Sequence, residues 1–301
     1  MRLSVVIPTY NRKDVLIETL KAFSQQSYKN FEVIIVDDGS SDGTREAINK
    51  LNSPFKISYF FQKNKGPASA RNIGIKKAQE KIIFFTGDDI IPSPDLLKKH
   101  ITMHQQGNSN LVVLGYTQWA PQIKITPFRK YIAGYHFNYS AIADKNNVNW
   151  RYFYTSNVSV SKDLLEKIGL FDEEFIYAAY EDSELAYRMS EQGMKMVFNK
   201  EAIAYHNHLM NFKSYQRTMI NKGKSLAILS KKVPQLEKKS SVYETSNPLR
   251  YFLKKIIFNN LTLPLLTAVI CFLDKISITL PKSFYTKILN YYYLQGIKAS
   301  K

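Results

Sequence analysis

Cysteine is almost absent. Cys271 is the single one in 301 residues, which excludes an internal disulfide and fits a reducing compartment. A signal peptide is not apparent either: the apolar run in MRLSVVIPTY is too short and reads as a strand. Acidic residues are scarce in one region. Residues 209–301 hold 3 Asp+Glu against 16 Lys+Arg, a balance of +13, whereas residues 1–208 hold 22 against 26, a balance of +4. The net charge of +17 therefore belongs mainly to the C-terminal third. Such a surface meets something anionic: lipid head groups, phosphates or nucleic acid. An uninterrupted apolar stretch of membrane-spanning length is also missing. The best candidate, residues 256–273, has 18 residues but contains two Asn and Pro264, which is marginal for a span. An interfacial helix pair with basic flanks fits better, and the tyrosines of KILNYYYLQG suit the head-group level. The competing reading is a set of ordinary helices whose apolar faces are core.

What the chain does have is apolar residues, at 45%, enough for a sizeable core, arranged in an alternation. Residues 3–10, 31–38, 56–62, 81–89 and 110–117 read as strands. Residues 14–26, 43–51, 66–79 and 93–106 read as helices, the last with Ser93 as N-cap and Pro94 at its first position. This β-α-β-α order predicts an α/β fold with a mostly parallel central sheet and helices on both faces. Residues 118–150 are aromatic and irregular and read as an acceptor-side loop region. Residues 153–175 then give a strand, a short helix and a turn. A helix follows over 180–193, with a Glu184–Arg188 pair and Gly193 as C-cap candidate, and a strand over 194–208.

In an open parallel sheet, ligands bind at the carboxyl ends of the strands. Polar residues gather there: Thr9 and Asn11, then Asp37 and Asp38, then Asp88 and Asp89. A turn at Pro8-Thr9 and a carboxylate at Asp37 or Asp38 suit a nucleobase and ribose, because a carboxylate accepts from a base N–H and from ribose hydroxyls. A loop with a capped helix would use the same residue types. Arg71, on the first turns of a helix, can reach a diphosphate or lie solvated. The adjacent acids of TGDD at a strand end suit a hard divalent cation completed by substrate phosphates, or a solvated turn. Glu181 and Asp182 open a helix, where the dipole favours the ionised form; one of them can take a proton from a hydroxyl, although acids are common at that position. His206 and His208 are either structural or metal-facing, depending on whether they face Asp89.

VVIPTYNR, VIIVDDGSSDGT, NKGPASARNIG, FFTGDD and EDSELAYRM resemble, in this order, the motifs of the family-2 glycosyltransferases, which have the GT-A fold. The resemblance covers about residues 1–210. It implies a catalytic domain over 1–210 (nucleotide half 1–115, acceptor half 116–210), followed by a basic amphipathic helical extension over 211–301. It further implies that Pro8, Thr9, Asn11, Asp37 and Asp38 hold the nucleoside, with Asp38 against the base. Arg71 would lie near the base or diphosphate, and Asp88 near the ribose or sugar. Asp89 would ligate Mn²⁺ or Mg²⁺ with help from His206 or His208. Asp182 would be the general base of an inverting displacement, with Glu181 in support. Two departures stand out. Thr86 replaces the first acid of the family's frequent Asp-x-Asp motif. The Gln-x-x-Arg-Trp motif of processive synthases is absent, YQRTMI lacking its Trp, which implies one sugar per binding event.

The expected partners are a nucleotide-sugar donor, a UDP-sugar foremost, and a lipid-linked or cell-surface glycan acceptor. The expected place is cytoplasmic, peripheral on the inner face of the membrane. Readings on the same fold are a dTDP-rhamnose-type donor or a protein acceptor; a scaffold without activity is opposed by Asp38, Asp89 and Asp182. A basic nucleic-acid-binding protein is the reading from another class. Against it, the C-terminal third has no recognition motif, and its aromatics lie among aliphatics rather than in a stacking platform.

Overall fold

The structure, a computed structural model, describes residues 2–233, 259 and 262–300. The chain forms two units: residues 1–123 with 137–208, and residues 124–136 with 209–301.

The first unit is built on an eight-stranded sheet. Its strands are β1 (Leu3–Thr9), β2 (Phe31–Asp37), β3 (Lys56–Phe61), β4 (Ile82–Thr86), β5 (Ile90–Pro92), β6 (Leu111–Trp119), β7 (Asn157–Ser161) and β8 (Lys195–His206), in the order β3-β2-β1-β4-β7-β6-β8-β5. β3, β2, β1 and β4 run parallel; β7 is antiparallel to both its neighbours, β8 is parallel to β6, and β5 is antiparallel to β8. Near-continuous apolar runs such as LSVVIPT and FEVIIVD are what a strand covered on both faces requires. Successive side chains point to opposite faces. Val5 and Ile7 join Leu16, Leu20 and Leu97 in one core, from helices α1 (Lys13–Ser24) and α4 (Leu96–Gln106). Val6 joins Ala70, Ile75 and Leu185 in the other, from α3 (Pro67–Lys77) and α7 (Glu181–Glu191). Two shorter helices, α2 (Thr44–Asn49) and α6 (Lys162–Lys167), and the 3-10 turns Tyr139–Ala141 and Trp150–Tyr152 also belong to this unit. The expected mostly parallel α/β sheet is thus present, and β1, β2 and β4 end side by side, with Thr9 in register with Asp37.

The structure corrects the sequence reading locally. Residues 118–150 are not simply irregular: β6 continues to Trp119, and Pro127–His136 forms helix α5. The buried Phe128, Tyr131 and Ile132 have helical spacing after Thr126-Pro127, a signal that the surrounding aromatics obscured. α4 begins at Leu96 with Asp95, not Ser93, at its N-cap. Ser93 is unavailable for that role because Ile90–Pro92 pairs with β8 and the Ser93 N–H continues the pairing to the Ile203 carbonyl. The predicted Glu184–Arg188 pair is present at 2.7 Å, and Gly193 follows α7 with φ 75°.

A buried polar chain ties α4 to β7. Asn157 donates its amide N–H groups to the Tyr116 and Ala202 carbonyls, so its Oδ1 is an acceptor and His100 Nε2 donates to it at 2.9 Å. A neutral His100 then accepts from Ser159 through Nδ1 at 2.8 Å, and His104 Nε2 donates to the same hydroxyl at 2.8 Å. Burial pulls His100 from 6.5 down to about 3 and His104 to about 4. The unfolded chain therefore takes up these protons first. The stabilisation is complete above about pH 6.5 and is lost as pH falls toward the folded values, by about 1.4 kcal/mol per pH unit and ring. Denaturant titrations at pH 7 and pH 5 should show roughly 4 kcal/mol more acid loss in the wild type than in a His100→Gln/His104→Gln variant. Equal slopes for the two proteins would refute the network's role.

The second unit contains α5, α8 (Phe212–Lys232), α9 (Thr262–Lys275) and α10 (Lys282–Lys298). Phe128, Phe212, Tyr215 and Tyr285 pack their rings together. α8 and α10 approach closely at Gly223 and Gly296: a Cβ on either would lie 2.0 Å from a carbonyl oxygen of the other helix. Of the predicted stretch 256–273, residues 256–258, 260 and 261 lie outside the described residues. No helix among the described residues is long and apolar enough to cross a membrane.

Candidate active site

Three polar groupings form around the carboxyl ends of β1, β2 and β4. The first grows from β1 and β4. Thr9 Oγ1 donates to Asp88 Oδ2 at 2.9 Å. The antiparallel pairing of β5 with β8 sets Ile90 opposite His206, and the Asn207 N–H binds the Asp89 carbonyl at 2.7 Å, so the imidazoles are delivered to Asp89. His208 Nδ1 lies 3.2 Å and His206 Nε2 3.5 Å from Asp89 Oδ2. Asp89, His206 and His208 can each offer one ligand atom within 4.8 Å of the others.

Arg12 completes this cluster. Its Nη1 donates to Asp88 Oδ1 at 3.0 Å and to Asp89 Oδ2 at 2.6 Å, and its Nη2 to His208 Nδ1 at 2.6 Å. Guanidinium only donates, so His208 Nδ1 is here an acceptor on a neutral ring. Burial and the neighbouring Asp89 push the Asp88 carboxyl up to about 6 against the pull of Arg12. Burial also opposes ionisation of Asp89, but the charge and hydrogen bond of Arg12 overcome it and hold that carboxyl well below the usual range. Burial drives His206 toward the neutral form, and its Nδ1 is buried with no hydrogen-bond partner among the described residues. One carboxylate and two imidazoles are a donor set that fits a divalent cation once His208 Nδ1 is released from Arg12, with Mn²⁺ suited better than the oxygen-preferring Mg²⁺.

The second grouping follows β2. Asp37 Oδ1 accepts from the Ser40 N–H at 2.7 Å, and Oδ2 from the Tyr59 hydroxyl at 2.7 Å. Asp38 Oδ1 accepts from Gln62 Nε2 at 2.6 Å and from the Lys65 N–H at 2.8 Å, and Oδ2 from the Gly66 N–H at 2.9 Å. Three of Asp38's four acceptor positions are used, leaving one on Oδ2. Asn11 (φ 51°) accepts from the Ser41 N–H and donates its own N–H to Ser40 Oγ, both at 2.8 Å. It thereby fastens the turn after β1 to the loop after β2. Pro8 is a residue of β1 itself, opposite Val36.

The third joins α3 to α7. Small residues Ala68, Ala70 and Gly74 let α3 press on β1; a Cβ at Gly74 would lie 2.4 Å from Val6 Cγ1. Arg71, predicted to face a base or diphosphate, instead donates through Nη1 to Glu181 Oε1 at 2.9 Å, with its guanidinium 5.5 Å from the Phe171 ring centroid. Both partners are buried. Burial and the adjacent Asp182 push Glu181 up to about 7 against the pull of Arg71. Asp182 is half-buried, and its Oδ1 accepts from the Ser183 N–H at 2.7 Å. Tyr180, just ahead of this pair, has φ 68°, a strained backbone for a bulky residue of the kind found at functional positions.

The structure thus gathers Thr9, Asp88, Asp89, His206 and His208, groups Asn11 with the Asp37–Asp38 loop, and commits Arg71 to Glu181. Sequence reasoning missed Arg12, which stands within VVIPTYNR; no residue spacing marks its reach across to Asp88, Asp89 and His208.

A family model described as glycosyl transferase family 2 matches residues 4–169. An uncharacterized glycosyltransferase of Bacillus subtilis, YfnE, is 27% identical over 263 residues, covering 71% of this chain and 67% of that protein. Other curated relatives are longer: two of them are matched over 54% and 40% of their length, so the chain spans about half of such proteins. Among solved structures, the mannosyltransferase PcManGT of Pyrobaculum calidifontis, in complex with GDP-Man and Mn²⁺, superposes with a TM-score of 0.64 at 17% identity, covering 99% of this chain and 86% of that one. S. aureus TarS 1-349 in complex with UDP gives 0.55 at 21%, covering 74% and 64%. At these identities the two structures speak for the fold.

Proposed function

This chain belongs to glycosyl transferase family 2 and has the GT-A type of fold, and we propose that it is an inverting, metal-dependent transferase that moves one sugar from a UDP-sugar to a hydroxyl of a lipid-linked or cell-surface glycan at the cytoplasmic face of the membrane. The observation that carries the reading is the convergence of Asp89, His206 and His208 at the end of the parallel strands, beside an Asp38 with one acceptor position left.

In this mechanism the Asp38 carboxylate accepts the N3–H of uracil, and the Asn11-fastened loops enclose the nucleoside. Asp88, held by Thr9, faces ribose or sugar hydroxyls. A divalent cation held by Asp89, His206 and His208 would supply charge neutralisation for the departing diphosphate. Asp182 takes the proton of the acceptor hydroxyl as its oxygen bonds to the anomeric carbon and the bond to the nucleoside diphosphate breaks. Glu181, clamped by Arg71, positions Asp182 at the start of α7.

The test is calorimetry with UDP, GDP and dTDP, each with and without Mn²⁺. UDP is expected to bind only with Mn²⁺, and GDP and dTDP at least roughly tenfold more weakly, about 1.4 kcal/mol. A preference for dTDP would move the donor to the deoxysugar class. Absence of nucleotide binding by folded protein would remove the reading.

A further inference from the structure

We propose that the outward face of α9 is a lipid-docking surface that seats in the head-group region of an anionic membrane. The proposal deepens the membrane-surface reading by naming the element that carries it, and it rests on none of the catalytic residues.

Amphipathic helices of water-facing proteins bury their apolar stripe and expose their polar one. α9 does the opposite. The side it turns inward, Leu263, Thr267, Ile270 and Asp274, is half polar, and its polar groups are matched. Gln216 Nε2 donates to Thr267 Oγ1 at 2.7 Å, and Asp274 Oδ1 accepts the Phe128 N–H at 2.7 Å. These bonds fix the helix's rotation. The opposite side then carries Leu265, Val269 and Phe272 in three- and four-residue steps, with Leu265 69% and Phe272 61% exposed, and the exposed Ile276 continues the series just past the helix end. Ile278, just beyond the helix, is exposed too. A contiguous apolar ridge of this kind marks an interaction surface rather than scattered exposure.

The charge around it selects the occupant. Among the described residues of this unit, Asp274 is the sole carboxylate side chain, and it is buried. The same residues include Lys124, Arg129, Lys130, Lys213, Arg217 and further lysines, with Lys275, Lys282 and Lys287 exposed on α9 and α10. A ridge of aliphatic and aromatic side chains on a unit with basic residues and, among the described residues, no exposed acid matches an anionic bilayer, which offers apolar depth beneath negative head groups. Nucleic acid would use the charge and leave the ridge wet. The 14 residues of α9 extend about 21 Å, short of the about 30 Å hydrocarbon core, so the helix lies in the interface.

Flotation of the full chain with vesicles tests this. Binding is expected to vesicles of phosphatidylcholine with about one-third phosphatidylglycerol, and to fall at least tenfold on vesicles of phosphatidylcholine alone. A Leu265→Ser/Phe272→Ser variant replaces exposed side chains and should keep its circular dichroism and its UDP binding, yet partition about 100-fold more weakly. A fluorophore on Phe272→Cys, in a Cys271→Ser background, should shift to the blue on the anionic vesicles. Undiminished flotation of the double variant, an unshifted fluorophore, or ridge-dependent dimerisation without vesicle binding would each overturn the proposal. UDP binding read in the same preparations keeps such a failure separate from failure of the transferase reading.

Discussion

Asp182→Asn is expected to lower turnover by about 10³-fold while UDP affinity changes by less than about twofold. The two acids at the start of α7 have been given different work by their surroundings. Glu181 is 3% exposed and its Oε1 is occupied by Arg71. Burial and the negative charge of Asp182 favour its protonated form. Asp182 is half-buried, with its Oδ1 on the Ser183 N–H, and in the proposed reaction is the member that takes the proton of the incoming hydroxyl. Replacing it with Asn removes the proton acceptor while keeping the side chain's shape. Glu181→Ala should behave differently: it leaves the buried Arg71 guanidinium without its acceptor, so the main loss is folding stability, about 3 kcal/mol or more, read as a lower unfolding midpoint. A fully active Asp182→Asn would assign the base elsewhere, and a Glu181→Ala with the larger kinetic defect and unchanged stability would exchange the two roles.

The first half of the chain was legible because its signals are strong and local. Runs such as FEVIIVD admit few readings but a strand covered on both faces, and Gly66-Pro67 announced α3. β5 was not legible: three residues carry no period, and the strand exists because β8 is there to pair with it. That pairing also displaced the predicted cap at Ser93, and it is what delivers His206 and His208 to Asp89. Arg71 shows the limit from the other side. Its place on α3 was read correctly, but its direction depends on the small residues that set α3 against β1 and on Glu181, 110 positions later. Positions along an element follow from sequence pattern; where a long side chain ends follows from tertiary packing. α9 makes the same point: its composition was plainly apolar, yet which face turned outward was decided by two polar bonds, to Gln216 and to the Phe128 N–H.

Asp89→Ala is expected to abolish Mn²⁺ binding and to lower turnover at least about 10³-fold, whereas Arg12→Ala should tighten the binding of Mn²⁺ alone by about tenfold, roughly 1.4 kcal/mol. The opposite signs follow from lone pairs. An imidazole nitrogen has one, and His208 Nδ1 spends it on Arg12 Nη2 at 2.6 Å. Arg12 Nη1 meanwhile sits 2.6 Å from Asp89 Oδ2, the carboxylate oxygen nearest both imidazoles. Without a metal, two adjacent buried acids need a counter-charge, and the guanidinium provides it. A divalent ion that takes His208 Nδ1 must release that hydrogen bond, so free energy invested in Arg12 is subtracted from metal affinity. Removing Arg12 leaves Asp88 and Asp89 uncompensated in the metal-free protein, which should unfold at lower temperature and recover when Mn²⁺ is added. Removing Asp89 takes away both the ligand and the reason for Arg12 to stay. Titration calorimetry with Mn²⁺ and no nucleotide reads all of this without reference to transfer. Unchanged or weaker Mn²⁺ affinity in Arg12→Ala would show that the guanidinium supports the ion rather than competing with it, and retained Mn²⁺ binding in Asp89→Ala would place the metal away from the histidines.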